Sequence, residues 1–295
     1  MKSSCIRQLL TVVGTCISVT FLMTPAQGSS IVIGGTWTDI GTITFVSPKP
    51  GDTPAMAGTA LLNTINGITD NSATNPYLIK LGPGIYDIGT SSLQMKQYVD
   101  IEGSGENTTK ITGSVTYSFF PPANGTINGA SNAELRFLTV ENTGVGGFTV
   151  ALFNSSASPS ILHVTARALG GTQDNYGVYN TSSSPVMTNV TADGLGGAAS
   201  HGIRNVSSSP VMTNVTASGS GGGLMNWGVY SSSSGTVKIA HSVIKGTSGT
   251  IGNETGVTTW VANTQLDGGP VYNSGTLTCA GVYDENYTFY ASTCP

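Results

Sequence analysis

The sequence is short of charge: Asp, Glu, Lys and Arg together make up only 9 % of its 295 residues. This is too little charge for a typical disordered chain, and the 38 % of hydrophobic residues is enough to build a core. The helix formers Leu, Glu, Lys and Arg are scarce, whereas Val, Ile, Thr and Tyr are plentiful and there are 40 glycines. The composition therefore predicts an all-β protein of strands and turns.

An excess of basic residues is also missing. Eleven Lys and Arg against 15 Asp and Glu give a net charge of −4. Cleavage of an N-terminal signal would remove Lys2 and Arg7 and take −4 to −6. A nucleic-acid partner needs a basic face, so that class is excluded, and an anionic polysaccharide is slightly disfavoured.

The N-terminus reads as an export signal. Lys2 and Arg7 form a basic start, residues 9–23 are mostly apolar, and residues 26–28 offer a small-residue cleavage site. A membrane anchor is the alternative, but the apolar run is short and interrupted by Gly, Thr and Ser. We predict a signal peptide over residues 1–28, a secreted or cell-surface protein, and membrane contact only through that signal.

Cysteine is rare beyond the signal, where only Cys279 and Cys294 remain. In an exported chain this pair predicts one disulfide and leaves no catalytic cysteine. Residues 270–295, which carry the disulfide, are expected to cap the C-terminal end of the fold.

An eleven-residue string, SSSPVMTNVTA, occurs at 182–192 and again at 207–217. The Gly-aliphatic landmarks Gly177, Gly202 and Gly228 set periods of 25 and 26 residues. Such a period indicates stacked repeats, and these units hold short β runs without a helix signal. Propeller blades need about 40 residues each. A solenoid of about 25-residue coils with three short strands therefore remains.

Aligning the repeats gives three apolar columns that should face inward. They are Ile161/Met187/Met212, Val164/Val190/Val215 and Ala166/Ala192/Ala217. A polar column of His163, Asn189 and Asn214 lies between the first two and predicts a sharp, buried bend, because Asn tolerates the left-handed conformation.

Residues 29–76 are predicted to hold an N-terminal strand and a capping helix. Thr53 would be the N-cap and Pro54 the first helical residue. Leu61, Leu62 and Ile65, with Ala57 or Ala60, would form the apolar face that closes the end of the solenoid.

Three strings carry a resemblance to a known fold family: MTNVTA, YLIKLGPGIYDIG at 77–89 and YVDIEGSGENTTKITG at 98–113. They resemble the single-stranded right-handed parallel β-helix proteins of the pectin-lyase-like superfamily, and the last two resemble the opening coils of pectinesterases. The resemblance implies a right-handed parallel β-helix over residues 77–269. These motifs are structural in the family, so they imply fold rather than activity.

A pectinesterase would carry two carboxylates on adjacent coils beside an arginine, in strings such as Q-D-T-L and D-F-I-F-G, and neither string is present. Under this alternative Asp174, Asp193 and Arg204 are the candidates for acid, nucleophile and charge stabiliser. The competing interpretation is solvated turn residues, with an Arg167–Asp193 pair between coils. Acidic residues are too few for a polygalacturonase or a calcium-dependent lyase.

Metal and nucleotide motifs are also missing. His163, His201 and His241 have no Cys, Asp or Glu at metal-ligand spacing, and no Walker or dinucleotide motif stands in a credible context. We therefore expect no metal site and no cofactor.

Aromatic residues align in the repeat. Tyr176, His201 and Trp227 precede the glycine landmarks, and Tyr179 and Tyr230 follow with Arg204 between them. Exposed rings about 5 Å apart would stack on sugars, so the five ring-bearing residues are candidate carbohydrate-binding residues. The alternative is that the rings shield a turn or stack on one another.

Three functions stay open. The first is a secreted, non-catalytic protein that binds an extracellular polysaccharide or cell-surface glycan, favoured because near-identical coils do not build an asymmetric active site. The second is a pectinesterase-like carbohydrate esterase or polysaccharide lyase, and the third is an adhesin or fibre module.

Overall fold

A computed structural model describes residues 41–295, together with the short strands at 11–12 and 15–16. The predicted cleavage site at 26–28 lies outside the described residues, and so does most of the predicted signal. Within the described part of the chain, no helix has the length and apolar character needed to cross a bilayer.

The described residues form strands β1–β27 and one helix, α1, over Pro54–Gly67. Strands β1 to β9 are Thr11–Val12, Thr15–Cys16, Thr42–Val46, Tyr77–Leu81, Gly84–Asp87, Leu93–Gln94, Val99–Glu102, Thr109–Gly113 and Ile127–Asn128. Strands β10 to β18 are Glu134–Asn142, Thr149–Ser155, Ser160–Leu169, Asp174–Thr181, Val186–Leu195, Ala199–Val206, Val211–Thr213, Thr216–Ser220 and Met225–Ser232. Strands β19 to β27 are Gly235–Ala240, Val243–Gly246, Gly249–Asn253, Val257–Ala262, Gln265–Gly268, Tyr272–Asn273, Thr276–Ala280, Val282–Asp284 and Phe289–Tyr290.

The chain is a right-handed parallel β-helix of about seven turns with coils of about 26 residues, as predicted. Each middle coil gives two strands, or one long bent strand, to a first sheet and one strand to a second sheet. The second sheet has the order β24-β21-β18-β15-β13-β11-β9-β6. Parallel pairing extends beyond the predicted limits of 77–269, because β3 pairs with β4 and β25 pairs with β22.

The three predicted apolar columns are confirmed. Ile161, Met187 and Met212 pair in register, and all nine column residues are buried in the interior between the sheets. Full burial of a large apolar side chain contributes roughly 1.5–3 kcal/mol, so these columns are a main source of stability.

The predicted bend is confirmed in its conformation. His163, Asn189 and Asn214 have φ values of 51°, 54° and 54°. Their side chains form a ladder in which the Asn214 Nδ2 group donates to the Asn189 Oδ1 atom at 2.5 Å, and the Asn189 amide lies 2.9 Å from the His163 Nε2 atom. The expected burial is wrong, since Asn214 is exposed and Asn189 is half-buried. A left-handed residue between two inward-facing strands turns its side chain away from the core.

Helix α1 closes the N-terminal end. The Thr53 hydroxyl accepts a hydrogen bond from the Met56 amide at 3.3 Å, and Pro54 opens the helix, as predicted. Leu61 and Ile65 are buried with Ala57. A Cβ atom at position 58 would lie 1.9 Å from the Asp87 carbonyl oxygen, so Gly58 lets the helix approach β5 closely.

The C-terminal end carries the predicted disulfide between Cys279 and Cys294, whose Cα atoms are 5.4 Å apart. It joins β25 to the residues after the antiparallel pair β26–β27. Closing a loop with a sequence separation of 15 stabilises the fold by roughly 3 kcal/mol in the chain-entropy model.

Candidate functional site

A column of outward-facing side chains runs along the second sheet. Along each strand, the residues of this column alternate with residues that face the buried interior, such as Val178, Ile203 and Val229. The column therefore faces away from the interior. The column consists of Gln94, Asn128, Phe153, Tyr179, Arg204, Tyr230, Gly252 and Tyr272, paired in register from coil to coil. With about 4.8 Å between neighbouring strands, the column runs for roughly 30 Å along the solenoid axis.

Two adjoining depressions follow this column, and we call them together the groove. The first, of about 620 Å³, is lined by residues that include Phe153, Tyr179, Arg204 and Phe120. Phe120 belongs to the long connection between β8 and β9. The second, of about 520 Å³, is lined by residues that include Tyr230 and Tyr272. Ser233 lines both depressions, and Arg204 of the first pairs in register with Tyr230 of the second, so the two depressions adjoin along the axis.

The predicted aromatic alignment is confirmed, because Tyr176, His201 and Trp227 pair in register. The Tyr176 and His201 rings stack with centroids 5.0 Å apart. Tyr176 also meets Tyr179 edge to face at 5.0 Å, and Trp227 meets Tyr230 in the same way at 5.0 Å. The rings therefore form one packed cluster beneath and beside the groove.

The expected exposure of these rings is wrong for four of the five residues. Tyr176, Tyr179, His201 and Trp227 are only 1 %, 2 %, 7 % and 9 % exposed, and Tyr230 is half-buried.

Glycines on the next coil explain part of this burial. A Cβ atom at Gly249 would lie 2.0 Å from the Trp227 ring, and one at Gly252 would lie 2.4 Å from the Tyr230 ring. The rings lean into the space that these glycines leave free.

The well-exposed rings of the groove are Phe120 and Tyr272, at 55 % and 54 %. Sequence reasoning missed both. Tyr272 stands in register with Tyr230 one glycine coil further on, but at intervals of 22 and 20 residues, so only a repeat alignment with gaps would have signalled it. Phe120 lies in an insertion outside the repeat, which gives no such signal.

Arg204 is the cation of the groove. Its guanidinium carbon lies 4.3 Å above the centre of the Tyr230 ring. Its Nη1 atom is buried without a hydrogen-bond partner, and so are the His201 Nδ1 and Trp227 Nε1 atoms. Burial, together with the nearby Arg204 charge, lowers the pKa of His201 to about 3, so this imidazole is neutral at physiological pH.

Asp174 lies at the start of β13 on the same sheet. Its carboxylate accepts a hydrogen bond from the Tyr176 hydroxyl at 2.5 Å. Burial raises the pKa of Asp174, while the Tyr176 hydrogen bond and the Arg204 charge oppose this rise.

Asp193 lies elsewhere, on β14 in the first sheet, 3.6 Å from the Arg167 Nε atom. The predicted pair between coils is therefore confirmed. Burial raises the pKa of Asp193, and Arg167 opposes this rise. The structure thus brings Asp174 and Arg204 to one sheet and places Asp193 on another, so the three esterase candidates do not form one constellation.

Glu254 is the acidic residue of the second depression, where its carboxylate accepts a hydrogen bond from the Tyr230 hydroxyl. Among the described residues, no group of three His, Cys, Asp or Glu side chains is arranged to hold a metal ion.

Comparison with known proteins gives similarity at the level of fold. No protein-family model and no curated protein matches the sequence. Solved structures do resemble the chain. Pectin methylesterase PemA from Erwinia chrysanthemi is 13 % identical, with 85 % of each chain covered and a TM-score of 0.46.

Pectin methylesterase from carrot is 11 % identical, with 76 % of this chain and 77 % of that chain covered and a TM-score of 0.44. The A-module of mannuronan C-5 epimerase AlgE4 from Azotobacter vinelandii is 15 % identical, with 77 % and 72 % covered and a TM-score of 0.44. Similarity at these identities concerns the fold alone and assigns no activity.

Proposed function

We propose that this chain is a non-catalytic, extracellular β-helix protein that binds a glycan chain lying in the groove. The observation that carries the proposal is the groove itself, which follows the solenoid axis over successive coils and has aromatic side chains in its floor and at its rim. A path of this shape suits an extended polymer better than a compact small molecule.

The exposed side chains of the groove have the chemistry that sugars require. Phe120 and Tyr272 offer ring surface to the apolar faces of pyranose rings, and Tyr230 lies between them along the path. Arg204 and Glu254 supply a donor and an acceptor for hydroxyl groups. Apolar and aromatic walls with a few polar groups are typical of binding sites for organic ligands.

The carboxylate arrangement supports binding without catalysis. Ester hydrolysis of the pectinesterase kind uses two carboxylates on adjacent coils, but the residues in register with Asp174 are Ala199 and then Met225. The other candidate carboxylate, Asp193, lies on the first sheet, where it pairs in register with Arg167.

The extracellular assignment is supported by the disulfide between Cys279 and Cys294, because such bonds persist in oxidising compartments. The predicted export signal over residues 1–28 points the same way.

A glycan array tests the proposal, followed by titration of the bound oligosaccharide against variants. Tyr230→Ala and Tyr272→Ala should each weaken binding about tenfold, because each removes a stacking surface. Val186→Ala is the matched control, since Val186 is 48 % exposed on the first sheet, away from the groove. Equal weakening by the control, or no glycan bound at all, would refute the proposal.

The esterase remains the second candidate, since Asp174 has a raised pKa and lies within the electrostatic influence of Arg204. The decisive assay is methanol release from methyl-esterified pectin. We expect no release by the wild-type protein. Robust release that Asp174→Asn or Asp193→Ala abolishes would replace the binding proposal by the esterase.

A further inference from the structure

We infer that the groove selects an uncharged glycan chain and discriminates against acidic polysaccharides. This inference rests on the proposed function and adds the chemical class of the ligand. It starts from the distribution of charge between the two sheets.

The second sheet is almost free of cations. Among the residues of its eight strands, Arg204 is the single Lys or Arg and Asp174 the single Asp or Glu. Among the described residues that line the groove, the charged ones are Arg204 and Glu254. Glu254 therefore balances the one positive charge in the lining, and Asp174 adds a second carboxyl group on the same sheet.

The cations in ion pairs lie on the first sheet. Lys80, Lys110, Arg136, Arg167 and Lys245 each pair there with a Glu or Asp side chain. The positive charge of these five side chains is thus held away from the groove and is locally neutralised.

An acidic polysaccharide that lay along the axis would present charges repeatedly to successive coils, about 4.8 Å apart. It would need cations at several positions of the outward column. The column offers Phe153, Tyr179 and Tyr230 on the three coils around Arg204, and a glycine beyond them. The net charge of −4 would further oppose the approach of a polyanion.

Arg204 itself is placed for a neutral partner. Its guanidinium carbon lies 4.3 Å from the centre of the Tyr230 ring, and its buried Nη1 atom lacks a hydrogen-bond acceptor. The buried Trp227 Nε1 atom, in a side chain that lines the second depression, also lacks one. The part of the Arg204 side chain that is exposed in the first depression can donate to sugar hydroxyl oxygens, which bring no charge that several cations must balance.

The experiment compares oligosaccharides that share a backbone and differ in charge. Fully methyl-esterified and unesterified galacturonan hexasaccharides form the matched pair, on an array with neutral gluco-, xylo- and manno-hexaoses and with alginate and dextran sulfate fragments. We expect only neutral oligosaccharides to bind. If the galacturonan backbone is bound, the esterified hexasaccharide should bind at least about tenfold better than the unesterified one. The affinity for a neutral ligand should change less than about twofold between roughly 50 and 500 mM salt.

Two variants sharpen the test. Arg204→Gln should weaken neutral ligands only a few fold, because one hydrogen-bond donor is lost while the stacking rings remain. The double variant Asp174→Asn, Glu254→Gln should improve acidic ligands relative to neutral ones, because it removes both negative charges.

The inference would be overturned if only the acidic oligosaccharides bound, if their binding was lost at high salt, and if Arg204→Lys kept the affinity that Arg204→Gln lost. The proposal that the protein binds a glycan would then still stand. Absence of binding by every member would instead overturn the proposed function, and the inference with it. The two failures are therefore distinguishable.

Discussion

The interior of the first sheet and the outer surface of the second use the same repeat in opposite ways. On the first sheet, β14 and the pair β16–β17 carry identical Val-Met-Thr-Asn-Val-Thr-Ala segments whose apolar residues meet in register. On the second sheet, aligned outward positions change from Tyr179 to Arg204 to Tyr230. Repetition is kept where a coil needs only to match its neighbour, and variation is found where the surface lines a groove.

The largest expected effect concerns the repeated interior. Met187→Ala should lower the free energy of unfolding by about 2–5 kcal/mol, because the fully buried side chain leaves a cavity between Ile161 and Met212. Denaturant unfolding measures it. Val186→Ala, one residue away on the outer face, should change stability by less than about 0.5 kcal/mol. Similar losses for both variants would contradict the assignment of faces.

A glycine of the second sheet gives the next effect. Gly249→Ala should cost about 1–3 kcal/mol, because the new Cβ atom overlaps the Trp227 ring and forces it outward. The same displacement should shift tryptophan emission to the red. Gly223→Ala, whose nearest neighbour would be 3.9 Å away, is the control. Unchanged emission and stability in Gly249→Ala would show that the ring does not fill this space.

The buried imidazole of the ring cluster predicts a pH dependence. The folded-state pKa of His201 is about 3 against an ordinary 6.5, so the unfolded chain takes up the proton first as pH falls. The neutral His201 therefore leaves the free energy of unfolding undiminished above pH 6.5. Below that pH the free energy of unfolding declines, by up to about 2 kcal/mol at pH 5. His201→Phe keeps a stacking ring and should remove this decline.

Chemical denaturation of both proteins at pH 7 and pH 5 measures the difference. The raised pKa values of Asp174 and Asp193 act in the opposite direction, since the folded state protonates first there. The comparison with His201→Phe therefore isolates the histidine. Parallel pH profiles would rule out a buried neutral His201.

The smallest effect separates conformation from contact at the bend. Asn189→Ala should cost about 1 kcal/mol, because alanine resists the left-handed conformation at φ 54°. Asn189→Gly loses the same amide ladder but adopts this conformation freely, so its thermal midpoint should stay above that of Asn189→Ala. A thermal midpoint of Asn189→Gly equal to or below that of Asn189→Ala would contradict a dominant cost from the left-handed backbone at this position.

Much of the fold was predictable because, in stacked coils, residues that lie one period apart in the sequence pair in register on neighbouring coils. The period of 25 and 26 residues placed Met187 on Met212 and Tyr179 on Arg204, and the structure confirms both. The helix cap at Thr53 and the disulfide were predictable from local chemistry, because each depends on residue types more than on tertiary packing.

The candidate site was less predictable. Whether the Trp227 ring is exposed depends on the side chain of the next coil, here Gly249, and the repeat pattern does not carry that information. Asp174 and Asp193 are close in sequence, but a turn separates them onto different sheets. Phe120 comes from an insertion, which the period cannot place.

The central claim is that an extended glycan lies along the second sheet. Carbene footprinting, read by mass spectrometry with and without the oligosaccharide selected on the array, tests it most directly. We predict protection of peptides that contain Phe120, Tyr230 and Tyr272, and unchanged labelling at Val186 and Val211 on the first sheet. Protection at the two valines with none at the three aromatic residues would contradict the claim.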